Sequence, residues 1–339
     1  MELSERKENV LRIIVSEYVS RASSIGSEEI AKRYGLGVSS ATIRNDMARL
    51  EEEGYIQRRH ISGGGIPTDK GYRYYVEALI REHGVPVAEQ LMISHLFHQV
   101  ERELEQWTRL AAVLLSRMVH NVAIVTSAKP VASRFRHLDM VAVQDFVALL
   151  ILLLKETRIR QQLVAFDEAI SQDGLSAICG RLNDGFKDMT KPQIIAHTVA
   201  LSPLESQVRD IVVHLMDEED RQRYEEPLVQ GVHHIVTQPE FASGDKVAGF
   251  MEALEHRRLV KDIIPVELAE RGVQVIIGSE NRDDAMRECS VVIARYGVPD
   301  EVDGVLGVLG PTRMPYERAI SAVGYIGSVM SNLVAELYT

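Results

Sequence analysis

The densest run of side chains able to do chemistry lies at residues 39–49, Ser-Ser-Ala-Thr-Ile-Arg-Asn-Asp-Met-Ala-Arg. Ile43, Met47 and Leu50 fall at i, i+4 and i+7, the spacing of a buried helical stripe. At about 100° per residue, the opposite side carries Ala41, Arg44, Asn45, Ala48 and Arg49. An arginine can fork onto a guanine edge, and an asparagine can pair with an adenine edge. Two alanines on the same side let the helix approach a groove closely. Ser39, Ser40 and Thr42 lie at the N-terminal end, where hydroxyls and free backbone N–H groups suit phosphates. The chemistry this pattern points to is reading of double-stranded DNA, with no bond made or broken.

Other constellations are weaker. His233 and His234, with His197 and His214, are the residue type of a metal site, but no paired cysteines and no HExxH run support one. Neighbouring histidines on a strand would face opposite ways. Gly304, Gly307 and Gly310 lack the strand-to-helix GxGxxG context and read as permitting tight strand packing or a bend. The acidic run 217–220 reads as a solvated helix end in preference to a cation site. No GxSxG elbow is present, so no catalytic residue, cofactor or metal is expected, and an enzyme is the weakest reading.

The elements that must position the reading helix are visible on either side of it. Residues 4–20 carry apolar residues near helical spacing, with Ser4 as a candidate cap. Ser27 can cap a second short helix ending at Gly35, and two short helices joined by a glycine-containing turn make a helix-turn-helix. Gly54 suits the residue just past the third helix. The basic stretch 55–60, containing Arg58 and Arg59, reads as a strand. Gly63, Gly64 and Gly65 form a tip, Pro67 stiffens the exit, and Thr68 or Asp69 caps a further helix. This strand and tip form a wing. Arg58, Arg59 and Lys70, near the start of that further helix, are its candidate DNA contacts. Winged three-helix folds also dock proteins or bind RNA, and an individual surface arginine is more often solvated than a base reader.

At 339 residues the chain suggests about two or three domains. The net charge is −11, which taken alone argues against a nucleic-acid partner. However, residues 1–82 hold 13 Lys and Arg against 13 Asp and Glu, so the whole excess lies beyond them. Cys179 and Cys289 are far apart, without CxxC spacing, which argues against a disulfide framework and for a reducing cytoplasm. The start of the chain has no signal-peptide pattern, and the apolar run 146–154 is too short for a membrane helix. No membrane partner is expected.

In the body, residues 87–118 read as one helix. The runs 121–127, 135–143, 146–154 and 160–166, with short spacers, suggest hairpins of an antiparallel sheet. A second strand set follows at 273–278, 289–296 and 304–310, then a last helix over 315–337. Between the two sets, residues 168–228 read as a mostly helical insert.

The stretches VSSATIRNDMARLEEEGYI (38–56) and GIPTDKGYRYYV (65–76) resemble the HrcA family of bacterial heat-inducible transcription repressors. The segment GVLGVLGPTRMPYERAISAVGYI (304–326) resembles the same family's C-terminal signature, and IGSE (277–280) and QPEF (238–241) match more loosely. The resemblance implies an α+β protein in three parts. These are a winged-helix DNA-binding head (1–84), a GAF-like domain with an antiparallel sheet (85–167 and 229–339), and an inserted dimerising domain (168–228). It also implies a homodimer on an inverted-repeat operator of the CIRCE kind upstream of chaperone genes, and assistance from the chaperonin GroEL. At one place the chain departs. Where the family usually has an arginine, in a pattern like SAGRIPT, Gly65 stands here, so a wing-tip contact through that side chain is not expected. A regulator gated by a small ligand in the GAF-like domain, and a chaperone-docking adaptor without DNA function, are the alternative readings.

Overall fold

The computed structural model describes residues 3–58, 63–79, 84–100, 103–155, 159–198, 200–221, 227–241, 244–255, 272–282 and 286–338. The chain packs as two units, Met1–Ala128 with Tyr224–Pro299 and Asp303–Thr339, and Lys129–Arg223 with Asp300–Val302.

The first unit opens with α1 (Glu5–Arg21), α2 (Ser27–Arg33) and α3 (Ser40–Glu52), followed by β1 (Ile56–Gln57), β2 (Ile66–Pro67) and α4 (Asp69–Leu79). Leu11, Ile14, Ile30, Ile43, Met47 and Leu50 are buried together with Ile56 and Val76, so the apolar stripe expected on α3 faces this core. The helix ends as its sequence requires. Tyr55 N–H donates to Leu50 O and Gly54 N–H to Glu51 O, with Gly54 at φ +78°, so orphan carbonyls of the last turn are satisfied. β1 and β2 pair antiparallel, Ile56 opposite Pro67 and Gln57 opposite Ile66.

After the head come α5 (Val87–Gln99) and α6 (Leu104–Val119). The single helix expected over 87–118 is therefore two, and Val100 is already extended at ψ 154°. Further along are β3 (Val122–Val125) and the short β4 (Lys129–Pro130). In the second unit, β5 (Phe135–Gln144), β6 (Val147–Leu154) and β7 (Ile159–Ala165) form a three-stranded antiparallel sheet. It is followed by α7 (Gln172–Phe186), α8 (Lys191–Ala196) and α9 (Pro203–Arg221). These three helices lie within the stretch 168–228, but the core they share also takes in the hairpin strands before it. Leu138, Met140, Leu150 and Leu152 share one core with Leu175, Leu182, Val208 and Val212. Helix side chains also complete the edge of β5. Asn183 accepts from Leu138 N–H and donates to Leu138 O, at 2.7 and 2.9 Å, and Gln172 does the same for Ala142 N–H and Met140 O, both at 2.8 Å. The hairpin strands thus belong with the helices and not with the larger sheet. The acidic run at the end of α9 is largely engaged. Asp217 meets Lys191 at 2.5 Å, Glu219 meets Arg160 at 2.7 Å, and Asp220 accepts from Ser133 N–H at 2.7 Å.

The first unit resumes with β8 (Leu228–Gln230), α10 (Val232–Val236), α11 (Gly244–Glu255), β9 (Val273–Ile277), β10 (Cys289–Val298), β11 (Val302–Pro311) and α12 (Tyr316–Tyr338). The strands run in the order β8-β3-β11-β10-β9. Val291, Ile293, Val305 and Leu309 line one side of the sheet with Phe241, Phe250 and Met286. On the other side Gly327 of α12 approaches Leu306 and Ala294. The glycines of β11 serve packing: a Cβ at Gly307 would lie 2.5 Å from Val292 O, and one at Gly310 2.3 Å from Asn121. α12 is long and apolar enough to cross a membrane by length and composition alone, yet Ala319, Val323, Ile326, Met330 and Val334 are buried inside the unit.

Candidate nucleic-acid interface

α3 presents its outward side to solvent. Ala41, Arg44, Asn45 and Arg49 are exposed, whereas Ile43, Asp46, Met47 and Leu50 are buried. The face is thus open, as a reading helix needs. At its N-terminus the Ser39 hydroxyl caps the helix by accepting from Thr42 N–H at 3.2 Å, and it lies 3.0 Å from the Thr42 hydroxyl. Ser39, Ser40 and Thr42 therefore cluster where the sequence put them, but two of the three hydroxyls are shared with the cap.

Most cations of the head are neutralised internally. Arg6 forks onto the buried Asp46 at 2.7 and 3.1 Å, and Lys7 pairs with Glu53 at 2.7 Å. Arg33 and Arg21 meet the buried Glu17, whose carboxyl is held below its usual range, chiefly by the hydroxyl of Tyr34. Arg44 has only a distant acid, Glu28, at 4.0 Å, with both side chains well exposed. Arg49 makes no ion pair among the described residues, and neither does Lys32.

Two sequence-derived candidates change role. Arg58 is mostly covered and pairs with Glu51, so its charge is spent on clamping β1 to α3 and is not displayed on a wing. Lys70 donates to Glu53 O at 2.7 Å and sits 4.3 Å above the Tyr55 ring. It closes the negative end of α3, a structural task that competes with the expected phosphate contact. Arg59 lies outside the described residues. Gly65 is also corrected. It bridges to Ile25 and is buried, and a Cβ there would stand 3.1 Å from Ile56 and 3.2 Å from Met47. A side chain at this position would start inside the head, not at the tip of a wing, and packing accounts for glycine here.

Lys32 was missed by sequence reasoning. It follows Glu28 by four residues on α2, so the two share a face, and Glu28 is the acid that approaches Arg44. Lys32 is thus an exposed cation on the same side of α2 as the acid nearest Arg44. The signal was its i+4 relation to Glu28, which has meaning only once α2 is laid across α3.

Metal and thiol chemistry find little footing. His233 and His234 stand on the helix α10 and not on a strand, with rings 4.0 Å apart, and His120 is 5.4 Å from His234. Among the described residues no group of three His, Cys, Asp or Glu could hold a metal ion. Burial pushes the Cys179 thiol up to about 11 and the Cys289 thiol up to about 12, so neither is a thiolate near neutral pH.

A helix-turn-helix with an open basic and amide face, carried on a larger mixed body of helices and antiparallel sheets, defines a DNA-binding regulator. The comparisons agree. A family profile described as DeoR-like helix-turn-helix domain matches residues 14–67, and one described as HrcA protein C terminal domain matches residues 105–320. The heat-inducible transcription repressor HrcA of Dehalococcoides mccartyi is 45% identical over 336 residues, covering 99% of this chain and 97% of the relative. That of Roseiflexus castenholzii is 40% identical over 345 residues, covering 99% and 96%. A crystal structure described only as a hypothetical protein superposes with a TM-score of 0.62 at 20% identity, covering 99% of each chain, and so shares the fold. The chain belongs to the HrcA family of heat-inducible transcription repressors, a family of regulators and not of enzymes.

Proposed function

We propose that the chain represses chaperone genes by occupying an inverted-repeat operator of the CIRCE kind, as a cytoplasmic homodimer with one α3 in each of two major grooves. The observation that carries this reading is the open Arg44–Asn45–Arg49 face in a head whose other described cations are mostly paired off. Ser39, Ser40 and Thr42 at the end of α3, together with Lys32, hold phosphates and fix register, while Arg44 and Asn45 read base edges. One head reads only a few base pairs, so useful specificity requires two half-sites related by a two-fold axis.

The sheet of the second unit offers the contact for the second copy. One face of β5–β7 is buried, but the other exposes Val141, Ile159 and Leu163. Val141, the half-buried Leu149 and Leu163 are register partners across the three strands, so they form an apolar row on that face, with Ile159 beside Leu153 further along. Monomeric proteins seldom leave such a patch in water. The sheet of the first unit, with α6 and α12 packed on it, carries the GAF-like reading. Assistance by the chaperonin GroEL rests on the family resemblance. It would couple the folded fraction to chaperone supply, since a marginal stability lets a few kcal/mol decide that fraction. The heat-inducible character of the relatives favours this reading over gating by a small ligand. Gel-shift titration of the full chain on an inverted-repeat duplex and on scrambled DNA, at several stated salt concentrations, tests it. Preference for the repeat at every salt supports it; equal affinities refute it.

A further inference from the structure

Four sequence stretches that carry the family resemblance do not belong to the reading helix, and in the folded chain they meet. In the stretch 65–76, Asp69 and Arg73 of α4 reach the turn 277–280. Ser279 donates to the Asp69 carboxylate twice, through N–H at 2.8 Å and its hydroxyl at 2.7 Å. Gly278 lies so close that a Cβ there would stand 2.5 Å from the carboxylate oxygens. Arg73 forks onto Glu280, with Nε at 2.9 Å, and also donates to Val275 O at 2.7 Å. In the stretch 304–326, Arg313 is nearly covered and donates to Glu240 at 2.6 Å and to Gln238 at 2.9 Å, both in the stretch 238–241. Its remaining nitrogen donates to Val19 O at 2.8 Å, a carbonyl in the last turn of α1 that the helix itself leaves unpaired. Between these contacts the buried rings of Tyr72 and Tyr316 pack at 5.6 Å.

The head is therefore held to the rest of its unit at three separate points: the end of α1, the start of α4 and the next turn of α4. Three such points fix the orientation of a rigid body, where one would leave it free to swing. The bonds are charge-assisted and directional, so they serve geometry more than net stability. We infer that Asp69, Arg73 and Arg313 are positioning residues for DNA binding: they set the angle at which each α3 is presented, and so the half-site spacing that the dimer accepts. None of them lies on the reading face. The inference rests on the dimeric operator reading above.

The test uses the full chain and a series of duplexes in which the spacer between two inverted half-sites is varied one base pair at a time, with a single half-site as control. Wild type should show a sharp optimum. Arg313→Gln and, independently, Arg73→Gln should flatten it, losing about tenfold at the optimum because the second head is no longer pre-placed, while half-site binding changes less than about twofold. A sharp optimum retained in both variants overturns the inference. Equal losses on half-site and full repeat overturn it too, by showing mere unfolding, and tighter binding would show a joint that holds the heads off DNA. A flat profile in wild type would instead refute the dimeric operator reading itself, and the joint's role with it.

Discussion

Arg44 and Arg58 are the same residue type fourteen positions apart, and the fold gives them opposite tasks. Arg44 stays exposed beside a loosely placed Glu28, whereas Arg58 is folded down onto Glu51. The helical period made the first legible in the sequence, since α3 has one buried stripe and the opposite side must face out. The second was illegible, because its partner is chosen by the turn after Gly54 that brings β1 back along α3. Lys70 was misread for the same reason: its acceptor carbonyl and aromatic ring come from residues 53 and 55. These assignments predict distinct salt dependences. Lys32→Ala and Arg49→Ala should each weaken binding on all sequences and reduce the slope of log affinity against log salt by about one. Arg58→Ala should lower the melting temperature and leave that slope unchanged. A reduced slope for Arg58→Ala would return that residue to the DNA contacts.

At the scale of elements, the periodic ones were legible and the interrupted ones were not. α3, α12 and the three hairpin strands stand within a few residues of where their apolar spacing put them. The break after Gln99 gave no periodic signal, because both halves are apolar enough to continue. α10 was mistaken for a strand environment, and its geometry has a consequence. His234 is pressed between His233 and His120, and burial first, then the two neighbouring imidazoles, lower its pKa below the ordinary 6.5. Between the folded and unfolded values the unfolded chain binds the extra proton, so this residue's contribution to stability rises with pH there and is lost as pH falls through 6.5. Melting curves of wild type and His234→Gln from mildly alkaline to mildly acidic buffer should therefore converge or cross as the pH falls, wild type losing more. Parallel curves would show that His234 is not strained by its neighbours.

For the whole molecule, a mixture of helices and antiparallel strands behind a helix-turn-helix was legible, but which strands share a core with which helices was not. An unbroken apolar strand such as β6 looks alike whether its partners are strands of the larger sheet or the helices that follow it. Only the shared core of Leu150, Leu152, Leu175 and Val208 assigns it. The pairing of β7 with β6 turns Leu163 and Ile159 outward, where the proposed second copy would cover them. Leu163→Glu should shift the chain from dimer to monomer in sedimentation velocity at micromolar concentration while its melting temperature changes little. A variant that remains dimeric would move the interface elsewhere. The central claim is that the outward side of α3 reads bases. Competition binding of wild type and Asn45→Ala on operator and random duplex at one salt concentration tests it most directly. The account predicts that Asn45→Ala loses about 1–3 kcal/mol on the operator and almost nothing on random DNA; equal losses on both would contradict it.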